Sequence, residues 1–310
     1  MRREVQSARL WIKKEARFQM IKNGLVYGLK VALVAVIYVG STMLVGAVLG
    51  AAGVRLPTTG DASGSLLQVV VMGLGAGLTL GPLAARLRVS RLWHLAIWGS
   101  VLSFNFASVL LEGAIFTSSL GQALPGLELM MLISSLVTAG GLTWLFAPAA
   151  PAAPVQLPQR TALAWVVRFV ASAASYVVFY WVFGMLNYNL FTHTYYETYQ
   201  ATLVVPPAQT ILLVESLRAF MMVLSVLPLA LAWQTSRPRL ALLCGLVLFL
   251  IGGVIPLAGN PALPLFLRIA SGWEIFLQNL STGVVVALLL GNTAPAHSPA
   301  TMKTAQPAAR

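Results

Sequence analysis

Charge is what this sequence has least of: Asp, Glu, Lys and Arg together make up 9% of its 310 residues, against roughly 25% in a water-soluble domain. With 58% of the residues hydrophobic, composition excludes a soluble globular fold. The lone cysteine, Cys244, excludes an intrachain disulfide, a CxxC redox pair and a cysteine metal cluster. Three histidines and one aspartate, Asp61, without HExxH or GxSxG, leave zinc, serine and aspartyl hydrolase chemistry without its parts. No enzyme and no metal site is expected. Gly73, Gly77 and Gly81 lack the Lys and Ser or Thr that complete a phosphate loop, and small residues at this spacing suit close helix contact instead. No cofactor is implied.

What the chain does have is long apolar tracts. Each is near 20 residues, enough to cross a hydrocarbon core roughly 30 Å thick as a helix. They fall near Val31–Val54, Leu66–Ala85, Leu92–Phe116, Leu120–Ala147, Leu163–Leu186, Thr210–Trp233, Leu240–Ala258 and Leu263–Leu290. Continuous runs of this kind exclude a membrane β-barrel, whose strands alternate in polarity over about 10 residues. The first tract is too long for a signal-peptide core and is read as a retained span. The expected fold class is all-α, a polytopic membrane bundle of about eight helices.

The net charge of +12 suggests nucleic acid until the basic residues are placed. With the N-terminus inside, sixteen fall in inside segments, eight of them between Arg2 and Lys30, and only Arg55 falls outside. That asymmetry describes topology, with both termini cytoplasmic in a cell membrane, and no nucleic-acid partner is expected. Residues 1–30 form a basic amphipathic segment: Trp11, Ile12, Phe18, Ile21 and Leu25 recur at helical spacing, with Arg9, Lys13 and Arg17 on another face. Anionic lipid is the partner such a segment suits. A Pro/Ala-rich linker, 148–162, separates membrane halves at 31–147 and 163–290, and 291–310 reads as a flexible cytoplasmic tail.

The halves resemble each other. Lys30, Tyr38 and Gly46 match Arg168, Tyr176 and Gly184 at an offset of 138, while Pro82, Ser90, Arg91, Gly99, Gly126 and Glu128 match Pro228, Ser236, Arg237, Gly245, Gly272 and Glu274 at 146. These residue types seldom coincide by chance in apolar sequence, so the expectation is a parallel four-plus-four repeat. Equal depth for Glu128 and Glu274 then requires a fourth helix that starts near Leu120 and tolerates Pro125.

Ionisable groups inside spans cost roughly 2.5–3.5 kcal/mol each and call for a partner or a role. Arg168 lies near an inner end and can snorkel. The candidates for a solute or proton site are Glu112, Glu128, Glu215, Arg218, Arg268, Glu274 and Gln278. Glu215 and Arg218, at i and i+3, share a face and can pair. Two readings stand: buried ion pairs that fix helix register, or a polar cavity on which Glu215, Arg218, Arg268 and Glu274 converge. Asn105 and Asn279 extend the polar set. The tyrosine-rich segment Asn187–Ala208 is expected to be an external loop, either an interfacial belt or a lid. The leading expectation is a transporter-like protein moving a small solute, coupled to protons through the intramembrane glutamates. The alternative is a non-catalytic membrane subunit or scaffold binding a protein or lipid partner.

Overall fold

The computed structural model describes residues 2–56, 62–116, 123–149, 154–198, 204–259 and 263–292, apart from the side chains of 2–14, 16–18, 62–65 and 259. Among these residues eight helices are long and apolar enough to cross a membrane. They are α1 (Arg2–Ala51), α2 (Ala62–Arg86), α3 (Arg91–Phe116), α4 (Leu124–Phe146), α5 (Ala162–Thr198), α6 (Ala208–Ala232), α7 (Arg237–Ala258) and α8 (Leu265–Leu289). Their outer surfaces expose Leu25 (76%), Leu92 (75%), Leu163 (73%) and Leu213 (73%). In water such apolar surface would drive association, whereas a multi-pass membrane protein turns it to lipid.

Proline and hydroxyl residues set the helix starts. Pro207 and Pro264 cap α6 and α8, and Thr161 accepts a hydrogen bond from the Ala164 amide at the start of α5. Pro125 lies in the first turn of α4, which begins at Leu124 rather than at the expected Leu120. The physical reason is the missing proline N–H, which is harmless where no intrahelical acceptor exists and costly further in. Residues 117–122 lie outside the described part.

Two further expectations change. The basic N-terminal segment continues into the first span as one unbroken helix; of its apolar face the side chains of Ile21 and Leu25 are described, and both are exposed, while those of Trp11, Ile12 and Phe18 lie outside the described set. The stretch from Asn187 is not a loop until Thr198: α5 runs on through a π turn, Tyr188–Thr192, and a last helical piece, His193–Thr198. A second π turn, Leu250–Val254, interrupts α7. Tyr199, Asp61 and the tail from 293 onward lie outside the described residues.

In the first helix group α1 packs on α2 and α4, and α3 packs on α4; in the second, α5 packs on α6 and α8, and α7 packs on α8. The groups join through α3 against α6, and through α2 against the second π turn and the end of α7. Small residues permit the tightest crossings. A Cβ at Gly73 would meet Ala35 Cα at 2.8 Å on α1, and one at Gly245 would meet Leu280 Cα at 2.9 Å on α8. Trp98, Tyr38, Tyr176 and Phe106 are fully buried between the helices.

Hydrogen bonds tie one end of the bundle together. Arg160 donates to Leu289 O at 3.1 Å and Arg168 to the same carbonyl at 3.0 Å, while Asn292 N donates to Ala230 O. Cations suit the unpaired carbonyls of a helix C-terminus, so Arg168 finds a capping role there. The ring of Phe146, 5.4 Å from Lys30 Nζ, places the start of the first span at that end too.

Candidate functional site

The site is built around Arg218 on α6. Three residues down the same helix face, Glu215 receives Nη1 at 2.7 Å on both carboxylate oxygens, as the i, i+3 spacing predicts. From α3, Glu112 accepts from Nη2 at 2.7 Å and Ser108 Oγ accepts from Nε at 3.1 Å. Glu215 is fully buried and Arg218 nearly so. Buried charge persists only when paired and hydrogen-bonded, and here the guanidinium fork is filled on each nitrogen. Tyr176 and Tyr180 on α5 hold their rings 6.0 Å from the guanidinium carbon.

Beside this cluster a cavity of about 1310 Å³ separates the two helix groups. Glu112 and Arg218 reach its wall, as do Glu274, Gln278 and Asn279 on α8 and Asn187 on α5. Glu274 Oε2 accepts from Asn187 Nδ2 at 2.6 Å. Among the described residues Glu274 has no cationic partner, while Asn187 Oδ1, Gln278 Nε2 and Asn279 Nδ2 are buried with no hydrogen-bond partner. Burying an unsatisfied polar atom costs roughly 1–3 kcal/mol, so this wall is under-satisfied in a way that the Arg218 cluster is not. The opposite wall is apolar, with Phe106, Leu127, Met72, Met130 and Met131.

Both π turns border the cavity, through Tyr188 and Thr192 on α5 and Gly252 and Gly253 on α7. Such insertions often accompany binding sites because they re-aim side chains. The glycines permit close approach: a Cβ on Gly252 would fall 2.5 Å from Asn105 Oδ1 on α3.

The seven candidates therefore separate. Glu112, Glu215 and Arg218 form one ion network, and Glu274 and Gln278 share its cavity. Arg268 does not line the cavity; its Nε donates to Leu263 O at 2.7 Å, at the start of its own helix. Convergence of Arg268 with Glu274 thus fails, because six residues of helix turn the two side chains apart. Glu128 stands apart as well, half-buried near the start of α4. Sequence reasoning missed Ser108, Tyr176, Tyr180 and Asn187. Only Asn187 carried a usable signal, as an amide flanking an apolar run. No protein-family model, no curated protein and no solved structure matches the chain.

Proposed function

We propose that this chain is a transporter-like protein of a cell membrane that takes a small solute into the cavity between its two helix groups. One observation carries the reading: a cavity of about 1310 Å³ that meets Glu274, Gln278, Asn279 and Asn187 among apolar helices, with their polar atoms left short of partners. An architectural network closes on itself, as Arg218 does with Glu112 and Glu215. The α8 wall stays open, as a site waiting for a ligand does.

By the positive-inside rule, the ends flanked by Arg86, Arg91, Arg160 and Arg237 face the cytoplasm together with both termini, and the cavity opens toward the other face, beside Arg55 and Val205. We read the two helix groups as a duplicated four-helix unit. Supporting this, α2 and α6 each span 25 residues with an internal proline, Pro82 and Pro228, and begin 146 positions apart at Ala62 and Ala208. Helices α3 and α7 begin at Arg91 and Arg237, at the same offset. Within each group the helices pair in the same order. On this correspondence Met72 and Val69 stand where Arg218 and Glu215 stand, so the arginine and its i, i+3 partner belong to one repeat alone, while Glu112 joins them from the other.

The test is flux in proteoliposomes, with a pH dye inside and a panel of amines, quaternary ammonium compounds, amino acids and carboxylates outside. Solute-dependent proton movement in the parent protein and its loss in Glu274→Gln is the expected result, since the amide keeps size and cannot ionise. The second reading, a membrane subunit that binds a partner without moving anything, draws on α5, whose exposed Val166, Val167, Val170, Val178 and Val182 form the least covered helix. It predicts no flux for any member of the panel, and that outcome would overturn transport.

A further inference from the structure

Resting on the solute-cavity reading, we propose that the solute is an amphipathic organic cation, its ammonium group held at Glu274 and Asn187 beneath the rings of Tyr188 and Tyr196 and its apolar chain laid along the methionine-lined wall. The head position follows from what the local acceptors lack. Among the described residues Glu274 receives a single neutral donor, Asn187 Nδ2, and the Asn187 Oδ1 atom next to it, on a residue only 3% exposed, accepts nothing. Arg218 is already occupied by Glu112, Glu215 and Ser108, and Arg55, which also reaches the cavity, is engaged as well. Two adjoining acceptor oxygens with no cationic partner among the described residues attract a cationic group of the solute, through its charge and through N–H or the polarised C–H of an N-methyl group, and the nearby Glu112 carboxylate disfavours an anion.

Aromatic rings complete the head site. Tyr188 and Tyr196 both face the cavity with ring centroids 5.9 Å apart, and Phe116 lies 6.4 Å beyond Tyr196. Ring faces attract a quaternary or protonated nitrogen where water is excluded. Gln278 Nε2 and Asn279 Nδ2, one turn further along α8, offer free donors for a hydroxyl, ester or carbonyl oxygen near the head.

The remainder of the cavity argues for a chain. Its volume exceeds the roughly 300–1,000 Å³ usual for small-molecule sites, and a compact ammonium would leave the wall of Met72, Met130, Met131 and Met222 uncovered. Flexible, polarisable thioethers fit chains of variable shape.

The experiment measures binding of radiolabelled dodecyltrimethylammonium, below its micellar concentration, to the full-length protein in phosphatidylglycerol nanodiscs, with empty discs subtracted. Saturable binding is expected, weakened at least tenfold in Glu274→Gln and several-fold in Tyr196→Leu, with tetramethylammonium at least tenfold weaker and dodecyl sulfate unable to compete. Both variants are first checked for an unchanged size-exclusion profile, and because they perturb different elements, one can answer if the other misfolds. Equal binding by parent and both variants, or equal competition by dodecyl sulfate, would overturn the cation while leaving a solute cavity in place. Absence of saturable binding by probes of every charge would overturn the cavity reading itself. Transfer to phosphatidylcholine discs separates two sources of the same chemistry: tenfold competition assigns the ammonium to a bilayer lipid headgroup, and unchanged affinity assigns it to a free amphiphile.

Discussion

Arg218 on α6 reaches Glu112 on α3 at 2.7 Å, so the ion pair joins the two helix groups rather than two turns of one helix. Removing the arginine strands two carboxylates at once. Glu215 suffers more, since its side chain is fully buried whereas that of Glu112 is 30% exposed toward the cavity. Arg218→Met should therefore lower stability by about 3–5 kcal/mol, the usual cost of leaving a buried charge unpaired. The triple variant Glu112→Gln, Glu215→Gln, Arg218→Met should recover most of that loss, because it leaves no charge behind. Thermal unfolding followed by size exclusion measures both, and equal destabilisation of the single and triple variants would show that the network contributes nothing as a unit.

Close helix contact at glycine supplies a second expectation. A Cβ on Gly283 would overlap the backbone of Gly245, so Gly283→Ala must push α7 and α8 apart. Loss of about 1–3 kcal/mol is expected from such overpacking. Gly272 on the same helix meets nothing within 4 Å, and there alanine should be neutral or stabilising by up to about 1 kcal/mol through helix propensity. If both substitutions shift the unfolding temperature alike, the crossing at Gly245 and Gly283 is wrong.

The helices were legible because hydropathy over 20 residues sums many small terms of one sign: the span expected at Thr210–Trp233 is observed as Ala208–Ala232. Glu215 with Arg218 was legible too, since helix geometry alone fixes residues at i and i+3. Glu112 as the second partner was not, because it depends on the rotation of α3 about its own axis, set by packing against three neighbours. Asn187 offered an amide flanking an apolar run, but its place in the cavity wall was not legible, for a different reason. The polar, tyrosine-rich stretch behind it reads as loop, yet the helix persists through a π turn whose geometry leaves no pattern in composition.

Topology can be tested with single cysteines in a Cys244→Ala background. Thr192 is buried in the π turn and would react poorly, so Thr198, exposed at the end of α5, is the better outer position. Thr198→Cys should react with an impermeant thiol reagent added to intact cells, and Gln156→Cys and Gln234→Cys should react only after permeabilisation. The reverse pattern would invert the orientation drawn from the basic residues.

Tyr38 and Tyr176, 138 positions apart and both buried, give the sharpest separation between scaffold and site. Among the described residues the Tyr38 hydroxyl meets only thioethers, Met131 Sδ at 3.4 Å and Met72 Sδ at 3.7 Å. Tyr176 lines the cavity and lies beside Arg218, its ring 6.0 Å from the guanidinium carbon. Sulfur is a weak acceptor, so Tyr38→Phe should change stability by under about 0.5 kcal/mol and leave ligand binding as it was. Tyr176→Phe removes a hydroxyl from a charged network in an apolar surround and should cost about 1–2 kcal/mol. It should also weaken binding of a quaternary ammonium probe, because Tyr176 lines the cavity beside Arg218. The proposed duplication, with Arg218 and Glu215 in one half and Met72 and Val69 at the matching positions of the other, requires this inequality between Tyr38 and Tyr176. Equal responses in stability and in binding would mean that the Arg218 cluster does not set Tyr176 apart from Tyr38.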